Sequence, residues 1–325
     1  MSNKIFCLTL CALLFALNFP AEAQQEAKIG KIGWLSSGRG SGPGPELFRR
    51  EIRALGYIEG KNIAFESRYA GDKLDRLPAL ADELVRLKVN ALVTNSTPAS
   101  LALKNATRTT PIVFHNVADP VAAGLVDSLA RPGGNITGIT NITTALADKR
   151  LELLKETVPK LSRVAMLWHP RNPSNALNWK ESQLSARELG LQLHSMEVGG
   201  SDRYESAFKE MIEARSSARA VMLDPLAVSN RKIIADLAMK NRLPAIYPRE
   251  DFVDSGGLMS YGADQSEPFK RVAVFVDKIL KGAKPSELPV EQPTKFALVI
   301  NLNTAKSLDL RIPPIVLTRA TRVIK

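Results

Sequence analysis

Residues 29–69 read IGKIGWLSSGRGSGPGPELFRREIRALGYIEGKNIAFESRY. The apolar run at 29–35 predicts a buried strand, and the amphipathic pattern at 45–55 predicts a helix that ends at Gly56. Residues 63–69 predict a second strand. A helix between two strands is typical of a parallel pair of strands with the helix packed against one face of the sheet.

The same alternation continues along the rest of the chain. Further strands are predicted at 91–94, 112–115, 138–140, 163–168, 191–198, 220–223, 245–247, 258–261 and 296–301. Further helices are predicted at 74–87, 98–106, 146–157, 175–189, 204–214, 233–240 and 268–281. This order predicts an α/β protein with two doubly wound parallel-sheet lobes joined by a hinge.

The alternation of strands and helices restarts after a fifth strand. This predicts that the chain first crosses between the lobes near residues 137–143. The helix at 268–281 and the strand at 296–301 complete the two lobes, so the chain crosses the hinge more than once. We expect lobe one to contain residues 28–138 plus 263–285. Lobe two is expected to contain residues 142–260 plus 292–325.

The first 23 residues have the pattern of a signal peptide. Lys4 precedes an apolar run at 5–19, and Ala21-Glu22-Ala23 has the small-x-small form of a cleavage site. The run is shorter than the roughly twenty residues that a spanning helix needs. The sequence therefore predicts a periplasmic protein. Because Cys7 and Cys11 both lie in this leader, the exported chain has no cysteine for a disulfide.

The formal charge of +11 raises the question of an anionic macromolecular partner. Lysines and arginines are dispersed, with no run of five, whereas proteins that bind nucleic acid usually cluster their charge on one face. A solvated basic surface is the favoured interpretation, and no nucleic acid partner is expected.

Candidate binding residues follow the predicted strands, since parallel sheets bind ligands outside the carboxyl ends of their strands. Later strand ends at 169–174, 247–249 and 261–264 are also expected to face the site. The candidate ligand-binding residues are Ser37, Ser96, Thr97, Asp119, Thr140, Asn141, Asp224, Tyr261 and Asp264.

Each candidate has a simpler structural alternative. Thr97 and Pro98 resemble an N-cap and N1 pair that leaves backbone N–H groups for a carboxylate, but the hydroxyl could only cap its own helix. Asp119 and Asp224 suit a ligand ammonium, yet Asp-Pro is also a common turn and cap. Asp264 could be an N-cap, and Tyr261 could belong to the core rather than to a pocket wall.

Motifs for catalysis, metals and nucleotides are missing from the sequence. The three histidines are widely separated and form no HExxH spacing. His115 and His169 end predicted strands, so one of them could face the cleft, whereas His194 lies within a strand. There is no G-x-S-x-G elbow, and the glycines at 38–42 do not fit G-x-G-x-x-G. We therefore expect no catalytic residue, no metal and no cofactor, and a binding protein rather than an enzyme.

Five segments carry a resemblance to a known family. They are KIGWL at 31–35, LGYIEGKN at 55–62, DPVAAGLV at 119–126, RPGGNITG at 131–138 and FALVIN at 296–301. In these segments the chain resembles the substrate-binding proteins of ABC importers with the type I periplasmic-binding fold, in the branch related to tryptophan- and tyrosine-binding proteins.

The resemblance implies two lobes that close on a small solute. It implies roles for Ser37, Thr97 and Asp119 on lobe one, for Thr140 or Asn141 near the hinge, and for Asp224 and Tyr261 on lobe two. Relatives that bind aromatic amino acids tend to carry an Asp-Asn-Thr-like segment where this chain has Asp224-Pro225-Leu226-Ala227. This departure argues against an aromatic amino acid.

The sequence thus predicts an exported solute-binding component of an ABC importer. It would capture an amino acid or related carboxylate by hinge closure and deliver it, as a monomer, to an ABC permease in the inner membrane. The alternative is a sensory module that presents a solute to a membrane receptor. An exported enzyme would need a paired acid and base in the cleft.

Overall fold

The computed structural model describes residues 29–40, 44–265 and 267–325. These residues form two α/β lobes, each built around one sheet. The signal peptide predicted at 1–23 lies outside the described residues. Within the described ranges, no helix combines the length and the apolar character needed to cross a membrane.

The first part of the chain forms lobe one. Its elements are β1 (Gly30–Ser36), α1 (Gly44–Ala54), β2 (Ile63–Tyr69), α2 (Leu77–Arg86), β3 (Ala91–Thr94), α3 (Thr97–Ala106), β4 (Ile112–Val117) and β5 (Ile136–Thr140). The sheet is parallel throughout, in the order β2-β1-β3-β4-β5.

Lobe two follows, and the chain then returns once to lobe one. The elements of lobe two are α4 (Ala147–Thr157), β6 (Arg163–Trp168), α5 (Pro173–Glu188), β7 (Gln192–Glu197), α6 (Tyr204–Glu213), β8 (Ala218–Val221), α7 (Pro225–Ser229), α8 (Arg231–Lys240), β9 (Ala245–Tyr247), α9 (Glu250–Asp254) and β10 (Met259–Ala263). Helix α10 (Pro268–Leu280) packs on lobe one against α1 and β4. The chain ends in lobe two with β11 (Phe296–Asn301), α11 (Leu302–Ser307), α12 (Pro314–Leu317) and β12 (Arg322–Ile324).

Both faces of each sheet are covered by helices, which explains the nearly continuous apolar strands. In lobe one, Phe48 and Ile52 of α1 are fully buried one helical turn apart. They pack with Val272 and Val276 of α10 in one core cluster. Truncation of a side chain such as Phe48 to alanine would cost about 3–5 kcal/mol of unfolding free energy.

One strand departs from the all-parallel prediction. Strand β11 runs antiparallel to β10, with Met259 opposite Ile300 and Ala263 opposite Phe296. The chain re-enters lobe two beside the end of β10, where the Asp264 N–H donates to the Lys295 carbonyl over 3.0 Å. Because β11 starts where β10 ends, it can pair with β10 only in the reverse direction.

Three connections join the lobes. The first leaves β5 after Thr140, the second runs from β10 to α10, and the third leads to β11. The first and third are tied together, since the Thr140 N–H donates to the Glu291 carbonyl over 2.9 Å and the Glu291 N–H donates to the Gly138 carbonyl over 3.0 Å. These adjacent segments lie where the sequence predicts the hinge.

Candidate ligand-binding cleft

A cleft between the lobes contains two adjoining chambers. They enclose about 530 Å³ and about 870 Å³, part of it continuous with solvent. The inner chamber is lined by Asn95, Ser96, Thr97, Asn116, Ala118, Asn141, Thr143, Asn172, Ser174, Asn175, Asn178, Leu223, Asp224, Pro225, Val228 and Arg249.

The outer chamber lies beside the inner one and shares part of its wall, including Asn95, Asn116 and Arg249. Its remaining lining residues are Ser36, Gly38, Arg39, Gly40, Gly44, Pro45, Leu47, Tyr69, His115, Pro225, Val228, Ser229, Arg231, Asp251, Gln265 and Phe269. The inner chamber is therefore mainly polar, whereas the outer chamber combines the rings of Tyr69, His115 and Phe269 with four charged side chains.

The N-terminus of α3 supplies the lobe-one side of the inner chamber. Ser96, not Thr97, is the N-cap, because Ser96 is extended at φ −162° and its hydroxyl accepts the Ala99 N–H over 3.4 Å. Thr97 therefore occupies the first helical position. Its hydroxyl reaches across the cleft instead and lies 2.5 Å from the Ser174 hydroxyl of lobe two.

Asparagines shape the opposite wall at the start of α5. The Asn172 side chain caps this helix by accepting the Ser174 N–H over 3.1 Å. The Asn175 amide links two strand ends, since it accepts the His169 N–H and donates to the Leu223 carbonyl, both over 2.9 Å. The sequence placed residues 169–174 near the site but gave no signal for Asn175 and Asn178, which lie one and two turns into a helix.

Asp224 is the only anionic residue that lines the inner chamber among the described residues. It is 4% exposed, and one carboxylate oxygen caps α7 by accepting the Leu226 N–H over 2.8 Å. The other oxygen accepts a hydrogen bond from the Asn172 side chain over 2.7 Å. No described cationic nitrogen lies within 4.0 Å of it. Since a carboxylate offers about four acceptor positions, Asp224 can accept a further hydrogen bond.

Arg249 is the only cationic residue in the same described lining. Its side chain is 17% exposed and donates to the Asp251 carboxylate over 2.9 Å. The Arg249 Nε and the Asn95 Oδ1 are buried without a hydrogen-bond partner. A buried polar atom without a partner is costly, and both atoms belong to residues that line the two chambers. They are well suited to contact a ligand.

The lobes also touch at the mouth of the cleft. The Arg39 guanidinium donates to Asp72 of lobe one over 2.7 Å and to the Ser201 hydroxyl of lobe two over 3.0 Å. Burial raises the pKa of Asp72, and the neighbouring Arg39 opposes this rise. The bond between Arg39 and Ser201 and the contact between Thr97 and Ser174 both join the two lobes, so the lobes are in a closed arrangement.

Three other candidates from the sequence lie in or behind the cleft. Asn141 lines the inner chamber, where its side-chain oxygen accepts the Thr143 N–H over 3.0 Å. Ser37 is buried and lies behind the chamber wall, with its hydroxyl 2.6 Å from that of Ser96. Thr140 is buried at the hinge and borders a separate side pocket.

The remaining candidates lie outside the two chambers. The Asp119 carboxylate accepts the N–H groups of Val121 and Ala122 over 3.1 and 2.9 Å, so it stabilises the turn at Asp-Pro and borders the side pocket. Asp264 lies at the hinge, where β10 ends. Tyr261 packs on the lobe-two core, with its ring 6.4 Å from that of Phe296. The structure thus places these three residues outside the two chambers, away from the position expected from the sequence.

Comparisons with known proteins agree with this architecture. The family model for ABC transporter substrate binding proteins matches residues 48–324. A tyrosine-binding protein of Clostridioides difficile is 27% identical over 264 residues, which is 81% of this chain and 76% of the relative. These matches confirm the resemblance seen in the sequence.

Solved structures give the same result. A conserved domain protein from Vibrio cholerae aligns with a TM-score of 0.84 and 30% identity, covering 91% of this chain and all of that chain. An ABC domain from Streptococcus pneumoniae in complex with L-Trp aligns with a TM-score of 0.83 and 25% identity over the same shares. With two parallel-sheet lobes and a family match over most of its length, the chain belongs to the ABC transporter substrate-binding protein family.

Proposed function

We propose that this protein is the exported solute-binding component of an ABC importer and that it captures a small zwitterion of the amino acid type. The observation that carries this proposal is the charge pattern of the inner chamber. One buried carboxylate, Asp224, and one guanidinium, Arg249, are the only charged groups in its described lining. A ligand with one ammonium and one carboxylate complements both.

The ammonium group of such a ligand belongs beside Asp224. A buried charge without an opposite charge is unfavourable, and Asp224 has only neutral donors in the described protein. A ligand ammonium would supply the missing charge. Hydrogen bonds between charged groups are roughly twice as strong as neutral ones, so this contact would contribute much of the affinity.

The carboxylate group belongs between Arg249 and the N-termini of α3 and α5. These two helices begin on opposite sides of the inner chamber and meet at the hydroxyls of Thr97 and Ser174. Helix N-termini favour negative charge by about 0.3–1 kcal/mol each. A Kd of 1 μM requires about 8 kcal/mol, which a few such contacts and one buried apolar group can supply.

Hinge closure would couple this recognition to transport. Thr97 and Asn95 come from lobe one, whereas Asp224 and Arg249 come from lobe two. A ligand that contacts both sides stabilises the closed state over the open one. The predicted signal peptide and the family support a place outside the cytoplasm, where the closed protein would deliver its solute to a permease.

The relatives support an amino acid as the solute class, since one is named a tyrosine-binding protein and another was solved with L-Trp. The test is thermal unfolding of the mature protein with the twenty amino acids, their decarboxylated amines and their deaminated acids. Ligands that bind only the folded state raise the midpoint. We expect a shift of several degrees for intact amino acids alone. An equal shift with a deaminated acid would contradict the role of Asp224.

A further inference from the structure

His115 is a buried polar side chain without a partner beside the cleft. It is 2% exposed, and neither of its ring nitrogens has a hydrogen-bond partner in the described protein. It lines the outer chamber, whereas Asp224 lines the inner one. In a neutral imidazole one nitrogen donates and the other accepts, so two hydrogen-bonding positions are unused at this wall.

His115 points to the same face of β4 as Val113, where Trp34 and Phe269 lie, and an irregularity in the strand brings Asn116 to the same chamber. The register of β4 against β5 shifts by one residue between Phe114 and Val117. In a regular strand, consecutive side chains point to opposite faces, yet His115 and Asn116 both line the outer chamber. Asn116 has a positive φ of 58° at this point. Such bulges re-aim side chains and are frequent next to binding sites.

The surroundings of His115 keep its ring neutral. The Phe269 ring is 4.7 Å away in an edge-on arrangement, and the Trp34 ring is 6.2 Å away. Burial and the nearby Arg249 of lobe two lower the pKa of His115 to about 3. Two other charged residues of lobe two line this chamber: Asp251 is bonded to Arg249, and Arg231 donates to the Val228 carbonyl over 3.1 Å. At neutral pH the imidazole therefore acts as a neutral donor and acceptor.

The outer chamber also has the shape for a ring. Tyr69 and Phe269 line it, and Gly40 lies so close to Tyr69 that a Cβ would be 2.9 Å from its ring. Aromatic walls are typical of pockets that take an aromatic or heteroaromatic group, and the charged side chains of Arg39, Arg231 and Asp251 also belong to this lining. A ligand side group that enters here meets rings on its faces and the His115 nitrogens at its edge.

Building on the proposed amino acid function, we infer that His115 determines specificity by hydrogen bonding to a heteroatom on the ligand's side chain. Contrary to the expectation drawn from residues 224–227, the substrate class is then an amino acid whose ring carries a hydroxyl or an N–H group, as in tyrosine, tryptophan or histidine. Phenyl and aliphatic side chains would leave the His115 nitrogens unpaired. A site built around a hydrogen bond discriminates strongly against analogues that lack it.

The test compares wild-type protein with two variants by calorimetric titration with L-tyrosine, L-tryptophan, L-histidine, L-phenylalanine and L-leucine. For the wild type we expect at least one of the first three to bind roughly 10- to 100-fold more tightly than L-phenylalanine. His115→Phe should reduce this ratio to about one while keeping the binding of L-phenylalanine. His115→Gln, which keeps a donor and an acceptor, should retain part of the preference.

The outcomes separate this inference from the proposal beneath it. If amino acids bind and the preference is the same in His115→Phe, or if L-phenylalanine binds the wild type as well as the polar ligands do, the role of His115 is overturned and the zwitterion site stands. If folded wild-type protein binds no amino acid, both are overturned. Circular dichroism melting of each variant verifies that it is folded during the titration.

Discussion

The hydroxyl of Thr97 lies 2.5 Å from the hydroxyl of Ser174, and the two residues belong to different lobes. Each lies in the first turn of a helix, and each helix begins at the inner chamber. Closing the lobes thus brings two helix N-termini together at one point. This contact connects the conformation of the protein to the place where we expect the ligand carboxylate.

The contributions of Thr97 and Ser174 to the free energy of ligand binding should be coupled. Thr97→Val and Ser174→Ala each remove one hydroxyl, and each should weaken ligand binding by about 0.5–1.5 kcal/mol. Because both changes disrupt the same contact, the double variant should lose less than the sum of the two losses. Calorimetry on the four proteins measures the coupling. Fully additive losses would show that the hydroxyls act independently, and Thr318→Val on the surface is the control.

The bond network at the mouth should control how long the ligand stays bound. Arg39→Ala removes the hydrogen bond to Ser201 of lobe two and the ion pair with Asp72. Arg39 is half exposed, so the change in unfolding free energy should be no more than about 1 kcal/mol. We expect ligand release to become several times faster while the association rate changes little. Stopped-flow fluorescence measures both rates, and an unchanged release rate would argue against a mouth contact in the closed state.

His115 should make the protein less stable in acid. Its pKa is about 3 in the folded protein and about 6.5 in a model peptide. Between these values the unfolded chain holds a proton that the folded protein does not, so stability falls as the pH decreases from 6.5 toward 3. This contribution is roughly 1.4 kcal/mol per pH unit.

The variant His115→Phe lacks this contribution. The free energy of unfolding is measured in urea at several pH values. As the pH falls, it should decrease less in the variant than in the wild type, by roughly 1.4 kcal/mol per pH unit. Other titrating groups are common to both proteins and cancel in the difference. A difference that is independent of pH would show that the imidazole is protonated in the folded state.

Gly138 in β5 should be intolerant of any side chain. It has φ +155°, and a Cβ built there would lie 2.0 Å from the Phe114 carbonyl oxygen. Gly138→Ala would have to push apart β4 and β5 next to the bulge, at a cost of at least about 2 kcal/mol in unfolding free energy. The matched control is Gly134→Ala, whose Cβ would meet nothing within 4 Å. Equal melting temperatures for the two variants would contradict this close approach.

Hydrophobic periodicity predicted the strands and long helices well, because each sheet is buried on both faces and each covering helix has one apolar side. The predicted strand at 63–69 and the predicted helix at 204–214, for example, correspond to β2 and α6 within one residue. The short helices α7 and α9 were missed because five residues do not establish a period.

Less of the binding site than of the fold could be predicted from the sequence. Strand ends indicated Ser96, Thr97 and Asp224, which do line the inner chamber. For Tyr261 the sequence left both the pocket wall and the core open, because a strand pattern does not specify which face meets the cleft, and the structure places it on the core of lobe two. Strand ends indicated His115 and His169 equally, and the structure shows that His115 lines the outer chamber.

The central claim is that Asp224 receives the ammonium group of a zwitterionic solute. The most direct measurement is calorimetric titration of mature protein, freed of bound solute by unfolding and refolding, with the amino acid that gives the largest thermal shift. Asp224→Asn should bind at least 30-fold more weakly, about 2 kcal/mol, whereas Asp236→Asn on exposed α8 should bind like the wild type. Wild-type affinity in Asp224→Asn would contradict the account.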